Sequence, residues 1–580
     1  MKTKLSRRLT AIVAAFGLAL VAVPATAPAA NAVDACGLGQ TCNGALTGAL
    51  GDSPYQIVMP PKFNGTVLLY SHGYRISNPV PAAIGTALGL NRAPTYSAVT
   101  VPGIGEAFVG NDIPQVAPSA EVAAGLLGQG YALAGAGYAN QGWAVAEGVE
   151  AGENLIKYIN SGGIKGAKQI LAWGDSLGSI VTQALVQRNP GKIAGTNPRC
   201  AALAGPEAAF DTAQTVMYTW KTLIDPTIKG SNYAAGAAGY AEAVGDLAKV
   251  FGTINAVASG EATVSAAGYP IALANLLGGL MAGLPTVSPT YDGVTVNPAV
   301  ATLGTAGALA GGYSPLSSGQ SAAAAMLQNV AAAAALGIMG QFELEQRVRL
   351  IGGLAPTDSA NFTSNVGVNY SELLSPEQRG EFGDTFATAG PGVLDAMLAA
   401  LAAGERTPAN PVAVKIVQGL PSAKAVYGKP MVLLTDTYDP VTPAGNAGEF
   451  FEGVRDSKKG KQAAKKGNLK AVSYYAVPPA EGWTRFEEGA KSPSAALSAA
   501  ALGGSGVGHC AFTTEQSVGS IAALQALLKA NNAKKIAAAK RVGYQVGGIN
   551  KDRLYEPPAL KNPAATVPNA TGTSGVMGTR

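Results

Sequence analysis

The chain has 580 residues, of which 47% are hydrophobic and 13% are charged, and its formal net charge at pH 7 is +5. A chain of this length can bury a large core, whereas so small a net charge gives no extended basic surface and excludes nucleic acid as an expected partner. The composition suits a folded, exported protein better than a disordered chain.

The N-terminal segment has the features of a secretory signal peptide. An apolar run from Leu9 to Val23 ends shortly before Ala30-Asn31-Ala32, which fits a small-x-small cleavage site. The run is preceded by four basic residues: Lys2, Lys4, Arg7 and Arg8. We predict that residues 1–32 are removed on export to the extracellular space, which lowers the formal net charge from +5 to +1. The alternative is an uncleaved anchor helix, for which the run is short. No later segment predicts a membrane span.

Between residues 55 and 205, short apolar segments alternate with helical patterns, which is typical of a parallel βαβ sheet. Helices are predicted over 143–159 and from Leu177, where apolar residues recur at helical spacing as far as Leu185. The predicted strands are 66–70, 131–135, 169–173 and 200–203. We assign residues 33–205 to the first part of an α/β core.

The character of the sequence changes between about residues 206 and 428, where Ala-rich helical patterns, among them predicted helices over 321–337 and 343–350, replace strands. Strands are predicted again over 430–435 and 469–477, and a closing helix over 521–530. The simplest explanation is a mostly parallel central sheet, flanked by helices and split by a helical lid or cap. The predicted divisions are the lid over 206–428, the second part of the core over 429–550 and an extended C-terminal tail over 551–580.

One motif predicts a nucleophile. The segment from Gly174 to Gly178, Gly-Asp-Ser-Leu-Gly, matches G-x-S-x-G, which places a serine on a sharp strand-to-helix turn. The pattern by itself is weak in a chain with 75 glycines. Here it falls between a predicted strand that ends at Trp173 and a predicted helix that begins at Leu177. We therefore predict that Ser176 is the nucleophile.

A nucleophilic serine needs a base and an acid that orients the base. The chain has two histidines. His509 lies on a Gly-rich loop after the last predicted strand and is the expected base, whereas His72 follows the strand 66–70 and is interpreted as structural. Asp439, in an Asp-Pro-Val-Thr-Pro turn after the strand 430–435, is the expected acid, and Asp436 is the alternative. The order Ser176, Asp439, His509 is that of the α/β-hydrolases.

On these residues the chain resembles the α/β-hydrolase superfamily over nearly all of its sheet-forming segments. The turn that begins at Asp439 is similar to that of secreted tripeptidyl-aminopeptidase-like members, whose catalytic Asp would fall on Asp439. The resemblance implies an oxyanion hole formed by the backbone N–H groups of Tyr74 and Leu177. The size of the insertion and the long segment between Val477 and His509 depart from the family, so the substrate class does not carry over.

Four cysteines remain after removal of the predicted signal peptide. An even number in an exported chain favours disulfides. The close spacing of Cys36 and Cys42 favours that pair, which leaves Cys200 with Cys510. A metal site is the alternative, but no CxxC pair and no second nearby histidine supports it.

The sequence thus predicts a secreted serine hydrolase that needs no cofactor or metal. We expect a carboxylic ester hydrolase that acts on a small or polymeric ester with an apolar portion. An exopeptidase or amidase of the tripeptidyl-aminopeptidase-like type is the alternative, suggested by the turn at Asp439. A non-catalytic surface-binding protein on the same fold is a third hypothesis, against which the predicted triad argues.

Overall fold

The structure is a computed structural model, and it describes residues 35–87, 90–91, 94–258, 262–286, 318–476, 509–549 and 560–561. The predicted signal peptide, and the predicted tail apart from residues 560–561, lie outside the described residues, as does the whole segment 477–508. No helix among the described residues is long and apolar enough to cross a membrane.

The strands of the structure form two sheets. Eight of them make one large sheet, in the order β1-β2-β7-β3-β8-β9-β10-β11, and the other three make a small antiparallel sheet in the order β4-β6-β5. In chain order the strands are β1 Thr41–Leu46, β2 Ser53–Val58, β3 Thr66–Ser71, β4 Val80–Pro81, β5 Tyr96–Val101, β6 Gly105–Gly110, β7 Ala132–Ala136, β8 Gln169–Asp175, β9 Ile193–Arg199, β10 Met431–Asp436 and β11 Ala471–Ala476.

In the large sheet, β7, β3, β8, β9, β10 and β11 are parallel to one another. Among the described strands of this sheet, the antiparallel pairs are β1 with β2 and β2 with β7. Every residue of β3, β7 and β10 is buried, as expected for parallel strands covered by helices on both faces. Parallel strands end at a common edge. The loops that follow β3, β8, β9 and β10 therefore meet at one place, where sites of α/β sheets are usually built.

The helices cover both faces of this sheet and fill the segment between β9 and β10. They are α1 Ala82–Ala87, α2 Ala120–Gly128, α3 Val145–Tyr158 with a π-helical turn Ile159–Gly163, α4 Leu177–Arg188, α5 Pro206–Leu223, α6 Gly236–Ala258, α7 Ile271–Ala282, α8 Ser318–Gly352, a 3₁₀ turn Tyr370–Leu373, α9 Pro376–Ala387, α10 Val393–Ala403, α11 Pro411–Gly419, α12 Ala444–Asp456, α13 Lys458–Lys465, α14 Thr514–Lys529, α15 Ala533–Ala539 and α16 Val542–Val546.

The described chain between β9 and β10 contains helices and no strand. Helices α5, α6, α7 and α8 enclose an apolar cluster of their own, which includes the buried Trp220, Leu277 and Phe342. Two predicted helices, 321–337 and 343–350, are one helix in the structure, because Gly340 between them continues α8 without a break. The predicted mostly parallel α/β architecture is confirmed.

One predicted strand is wrong. Residues 200–203 were expected to be a strand, but β9 is Ile193–Arg199 and ends before them. Gly195, Asn197 and Pro198 give β9 a poor intrinsic preference for strand, so its pairing with β8 and β10 decides its conformation. Cys200 has a positive φ of 38°, which ends the strand at the edge where the site lies.

Candidate active site

Ser176 lies on a sharp turn between β8 and α4. Its φ of 55° and ψ of −125° fall where a side chain is strained, as expected for a serine that projects from the top of a sheet. The flanking glycines are needed because β3 passes close by. A Cβ on Gly174 would come within 2.6 Å of the carbonyl oxygen of Ser71, and a Cβ on Gly178 would clash with the same oxygen. The G-x-S-x-G spacing is therefore a packing requirement of this turn.

The structure brings Ser176, His509 and Asp439 together although they are far apart in the chain. His509 Nε2 lies 3.0 Å from Ser176 Oγ, and His509 Nδ1 lies 2.9 Å and 2.8 Å from the two carboxylate oxygens of Asp439. These contacts match a nucleophile, a base and an orienting acid. Ser176 and Asp439 are buried, whereas the side chain of His509 is 26% exposed.

The turn after β10 holds the carboxylate of Asp439 in place with hydrogen bonds. One oxygen accepts hydrogen bonds from the backbone N–H groups of Val441 and Thr442, at 2.9 and 2.8 Å. The hydroxyl of Thr442 lies 2.8 Å from the other oxygen. The Asp-Pro-Val-Thr-Pro turn thus supplies both the acid and the groups that hold it.

The loop after β3 passes next to Ser176. A Cβ on Gly73 would lie 3.2 Å from Ser176 Cβ, so only glycine fits without displacement. Among the described residues, no acceptor is found for the backbone N–H of Tyr74 or of Leu177. Both residues border the cavity at Ser176. This placement fits the predicted oxyanion donors.

His72 lies beneath the same loop and is not part of the site. It is 1% exposed, stacks on Tyr138 with ring centroids 3.8 Å apart, and contacts the carbonyl oxygen of Gly73 through Nδ1 at 2.8 Å. Burial, assisted by the charge of Arg75, lowers its pKa well below the usual range. A neutral, stacked imidazole fits the structural interpretation.

The strand order and the turn at Ser176 decide the fold. The chain has the α/β-hydrolase fold. No family model matches it, and no curated protein does.

Solved structures of α/β-hydrolases are similar to this chain at low identity. An esterase from Aspergillus oryzae has 11% identity over 75% of this chain and 72% of that chain, with a TM-score of 0.32. An epoxide hydrolase from Vigna radiata has 13% identity over 78% of this chain and 96% of that chain, with a TM-score of 0.25. A serine hydrolase without a lid, from Xanthomonas campestris, has 9% identity over 28% of this chain, with a TM-score of 0.19, and the match spans 62% of that chain.

Asp436, the alternative acid, does not contact His509. It is the last residue of β10, is fully buried, and accepts a hydrogen bond from the backbone N–H of Tyr438 at 2.9 Å. Burial, followed by the nearby charge of Asp439, raises its pKa well above the usual range. Asp436 therefore supports the turn, and Asp439 is the carboxylate that contacts the imidazole.

Both cysteine pairs expected from the sequence are at disulfide distance: Cys36 with Cys42, and Cys200 with Cys510. The second pair touches the reacting groups. Cys200 Sγ accepts the backbone N–H of Ser176 at 3.3 Å, and Cys510 Sγ lies 3.7 Å from His509 Nε2. The pair thus ties the end of β9 to the loop that carries the histidine.

A buried ion pair next to Ser176 was not anticipated from the sequence. Arg199 donates to Asp175 at 2.6 and 3.1 Å, and the hydroxyl of Tyr70 donates to the same carboxylate at 3.0 Å. The guanidinium lies 5.4 Å from the ring centre of Trp173 and 4.9 Å from that of Phe512. Because Phe512 follows His509, this cation–π contact also fixes the histidine loop. Its only sequence signal was an Asp inside the G-x-S-x-G motif.

A cavity of about 290 Å³ opens at Ser176. The sheet edge forms one side of it, and α5 and α8 form the other. Of its described lining residues, only Tyr74, Tyr96, Asp175 and His509 can titrate, and Asp175 is already paired with Arg199. The remaining lining is mostly apolar: Ile76, Leu90, Trp143, Phe210 and Leu336 are examples. Tyr218, Trp220 and Phe342 do not line the cavity and are buried in the apolar cluster of the helices.

Proposed function

We propose that this chain is a secreted serine hydrolase that cleaves carboxylic esters through a covalent acyl-enzyme. The observation that carries the proposal is the continuous hydrogen-bonded series from Ser176 Oγ through the imidazole of His509 to the carboxylate of Asp439. The predicted signal peptide and the two cysteine pairs support export.

In the first half of the reaction, His509 Nε2 takes the proton of Ser176 as Oγ attacks the ester carbonyl. Asp439 accepts the Nδ1–H and so stabilises the imidazolium and its tautomer. The tetrahedral intermediate then collapses, the C–O bond to the alcohol breaks, and His509 returns the proton to the departing alkoxide. Ser176 is left as an ester of the substrate acid.

In the second half, a water molecule loses a proton to His509 and attacks the acyl-enzyme. Collapse of this intermediate breaks the bond to Ser176 Oγ and releases the carboxylic acid, while the proton passes back to the serine. In both halves the backbone N–H groups of Tyr74 and Leu177 would bind the developing oxyanion. The loss of one such donor typically costs about 3 kcal/mol of transition-state stabilisation.

The lining of the cavity favours esters over peptides. An aminopeptidase has to bind a positively charged substrate N-terminus, for which a free carboxylate is the natural partner. In the described part of the lining, the one carboxylate is that of Asp175, and Arg199 already neutralises it. An apolar ester leaves no charge unpaired in such a cavity. The exopeptidase remains the second candidate because of the turn at Asp439.

A substrate panel tests the proposal. The mature chain would be assayed with p-nitrophenyl esters and with aminoacyl- and tripeptidyl-p-nitroanilides, with the Ser176→Ala variant as the background. We expect ester hydrolysis that disappears in the variant, and anilide hydrolysis lower by orders of magnitude. Anilide hydrolysis that dominates would replace the proposal by the exopeptidase. Absence of both activities in a correctly folded chain would favour the non-catalytic hypothesis.

A further inference from the structure

One face of α8 borders the cavity. Ala333, Leu336, Gly337 and Gly340 line it, at spacings of three and four residues that place them on one side of a helix. Ala333 is 7% exposed and Leu336 is partly buried, whereas the neighbouring Ala332, Ala334 and Ala335 are completely inaccessible. The residual exposure shows that the cavity opens onto this face of the helix.

Helix α5 forms the rest of this wall, and small residues set its distance from α8. A Cβ on Gly337 would lie 2.5 Å from the Cβ of Ala213, so the two helices are as close as glycine allows. A Cβ on Gly340 would lie 3.0 Å from the ring of Phe210. The shape of this wall is therefore determined by close packing of the two helices, and Ala333 and Leu336 are the α8 residues with larger side chains than glycine that line the cavity.

Polar contacts fix α8 to the core at its C-terminal half. Glu343 accepts hydrogen bonds from the hydroxyl of Tyr74 and from the backbone N–H of Asn78, the latter at 2.8 Å. Arg347 pairs with Glu147 of α3 at 3.0 Å. Since Tyr74 also belongs to the loop beside Ser176, the wall of the cavity and the catalytic edge are joined directly.

We propose that this cavity holds the acyl chain of a short to medium-length fatty acyl ester, and that Ala333 and Leu336 limit the length of that chain. The inference rests on the proposed ester hydrolase function. A volume of about 290 Å³ holds about ten groups of the size of a water molecule or a methylene, at ~30 Å³ each. After room is left for the ester group and the attacking water, an acyl chain of about six to eight carbons fills the space.

The acyl group is the better occupant than the alcohol. In the proposed mechanism the acyl group stays attached to Ser176 through both halves, whereas the alcohol has to leave before water can attack. The cavity beside α5 and α8 can therefore hold the acyl chain through both halves of the reaction. The apolar lining also provides no partner for a hydroxyl-rich or charged acyl group.

Two substitutions with opposite expected effects test the inference. Activity of the mature chain on p-nitrophenyl acetate, butyrate, hexanoate, octanoate, decanoate, laurate and palmitate would be measured as kcat/KM for each variant. Ala333→Leu adds bulk to the wall, and we expect the ratio of octanoate to butyrate kcat/KM to fall at least about tenfold. Leu336→Ala enlarges the cavity, and we expect the optimum to move to longer chains. Ala399→Leu, at an exposed position of α10, is the matched control and should leave the profile unchanged.

The outcomes separate this inference from the proposed function. If the natural chain hydrolyses none of these esters, the proposed function fails. If it hydrolyses them but Leu336→Ala and Ala333→Leu leave the profile unaltered, only the inference fails. A second series of esters, with a constant acetyl group and alcohols from ethyl to decyl, shows whether the cavity binds the acyl portion or the alcohol portion of the substrate. If the substitutions changed only the preferred length of the alcohol, the assignment of the cavity to the acyl chain would be overturned. Should Ala333→Leu not fold, Leu336→Ala still decides.

Discussion

The two sides of the cavity are built in different ways. On the side of the sheet, directional contacts hold every proposed reacting group: Asp439 receives its donors from its own turn, and the Cys200–Cys510 pair lies against Ser176 and His509. On the side of α5 and α8, the cavity wall consists mostly of alanine, glycine and leucine, whose positions follow from close packing.

The two sides are therefore expected to have different roles: the sheet edge determines the rate of the reaction, and the helical wall determines which substrates are preferred. Hydrogen bonds fix the distance and the angle between reacting atoms, so a change at the sheet edge should lower the rate for every ester alike. Apolar packing fixes only the shape of a space, so a change in the wall should alter the ranking of substrates and leave the shortest ester nearly unaffected.

The largest effect is expected at Asp439. Asp439→Asn replaces one carboxylate oxygen with an N–H donor and so favours the wrong tautomer of His509, and we expect kcat to fall about 10⁴-fold for all esters with the fold retained. Steady-state kinetics on butyrate and octanoate esters, with circular dichroism as a check of the fold, measure this directly. A loss that differed strongly between the two esters would contradict the division.

Asp436→Asn is the matched control for Asp439. Asp436 does not contact His509, and an amide oxygen can still accept the hydrogen bond from the backbone N–H of Tyr438, so we expect less than about a tenfold loss of kcat. If Asp436→Asn gave the large loss and Asp439→Asn did not, the assignment of the acid would be reversed.

The next effect concerns the two cysteine pairs, which differ in place and in loop length. The Cys200–Cys510 pair spans 310 residues, and Cys36–Cys42 spans 6. Replacing Cys200 and Cys510 by serine should cost about 5 kcal/mol of unfolding free energy by chain entropy and should lower kcat, because it frees the histidine loop. Replacing Cys36 and Cys42 should cost about 2 kcal/mol and leave kcat unchanged. Equal effects on kcat would show that the first pair does not position His509.

The smallest effect expected is a change in pH dependence. Glu207 and Asp211 lie one turn apart on α5, and burial raises the pKa of each to about 7, with the charge of Glu207 contributing at Asp211. Since the pKa is higher in the folded chain, the stability contributed by these groups is complete below about pH 4 and is lost as the pH rises through 7. We expect Tm to fall between pH 5 and pH 8, and the fall to be smaller in a Glu207→Gln, Asp211→Asn double variant. Scanning calorimetry decides, and identical pH slopes would contradict the expectation.

The same division explains how much of the fold the sequence predicts. Strands β3, β8 and β10 are continuous apolar runs bounded by turns, so their positions are readable locally. Strand β9 cannot be recognised in this way, because Gly195, Asn197 and Pro198 have a low preference for strands. Its pairing with β8 and β10 makes it a strand. The sequence predicts two helices where the structure has α8, because a glycine such as Gly340 favours a break when only its neighbours in sequence are considered. In the structure, Gly340 lies inside the helix, and the ring of Phe210 leaves little room for a larger side chain there.

The site shows the same contrast. The three residues proposed as the triad stand in recognisable sequence patterns, because a strained turn or a carboxylate turn needs particular neighbours. The ion pair of Asp175 with Arg199 and the wall formed by Ala333 and Leu336 depend on contacts between distant segments. In the sequence, an alanine that borders a cavity cannot be distinguished from an alanine in a helical core.

The most direct test of the account is covalent labelling of the nucleophile. We expect a fluorophosphonate to label the mature chain at a single residue, mapped by peptide mass spectrometry to Ser176. Labelling should be lost in Ser176→Ala and strongly slowed in His509→Ala, since the serine is then no longer activated. Labelling that persists in Ser176→Ala, or that maps to another residue of the natural chain, would contradict the central claim.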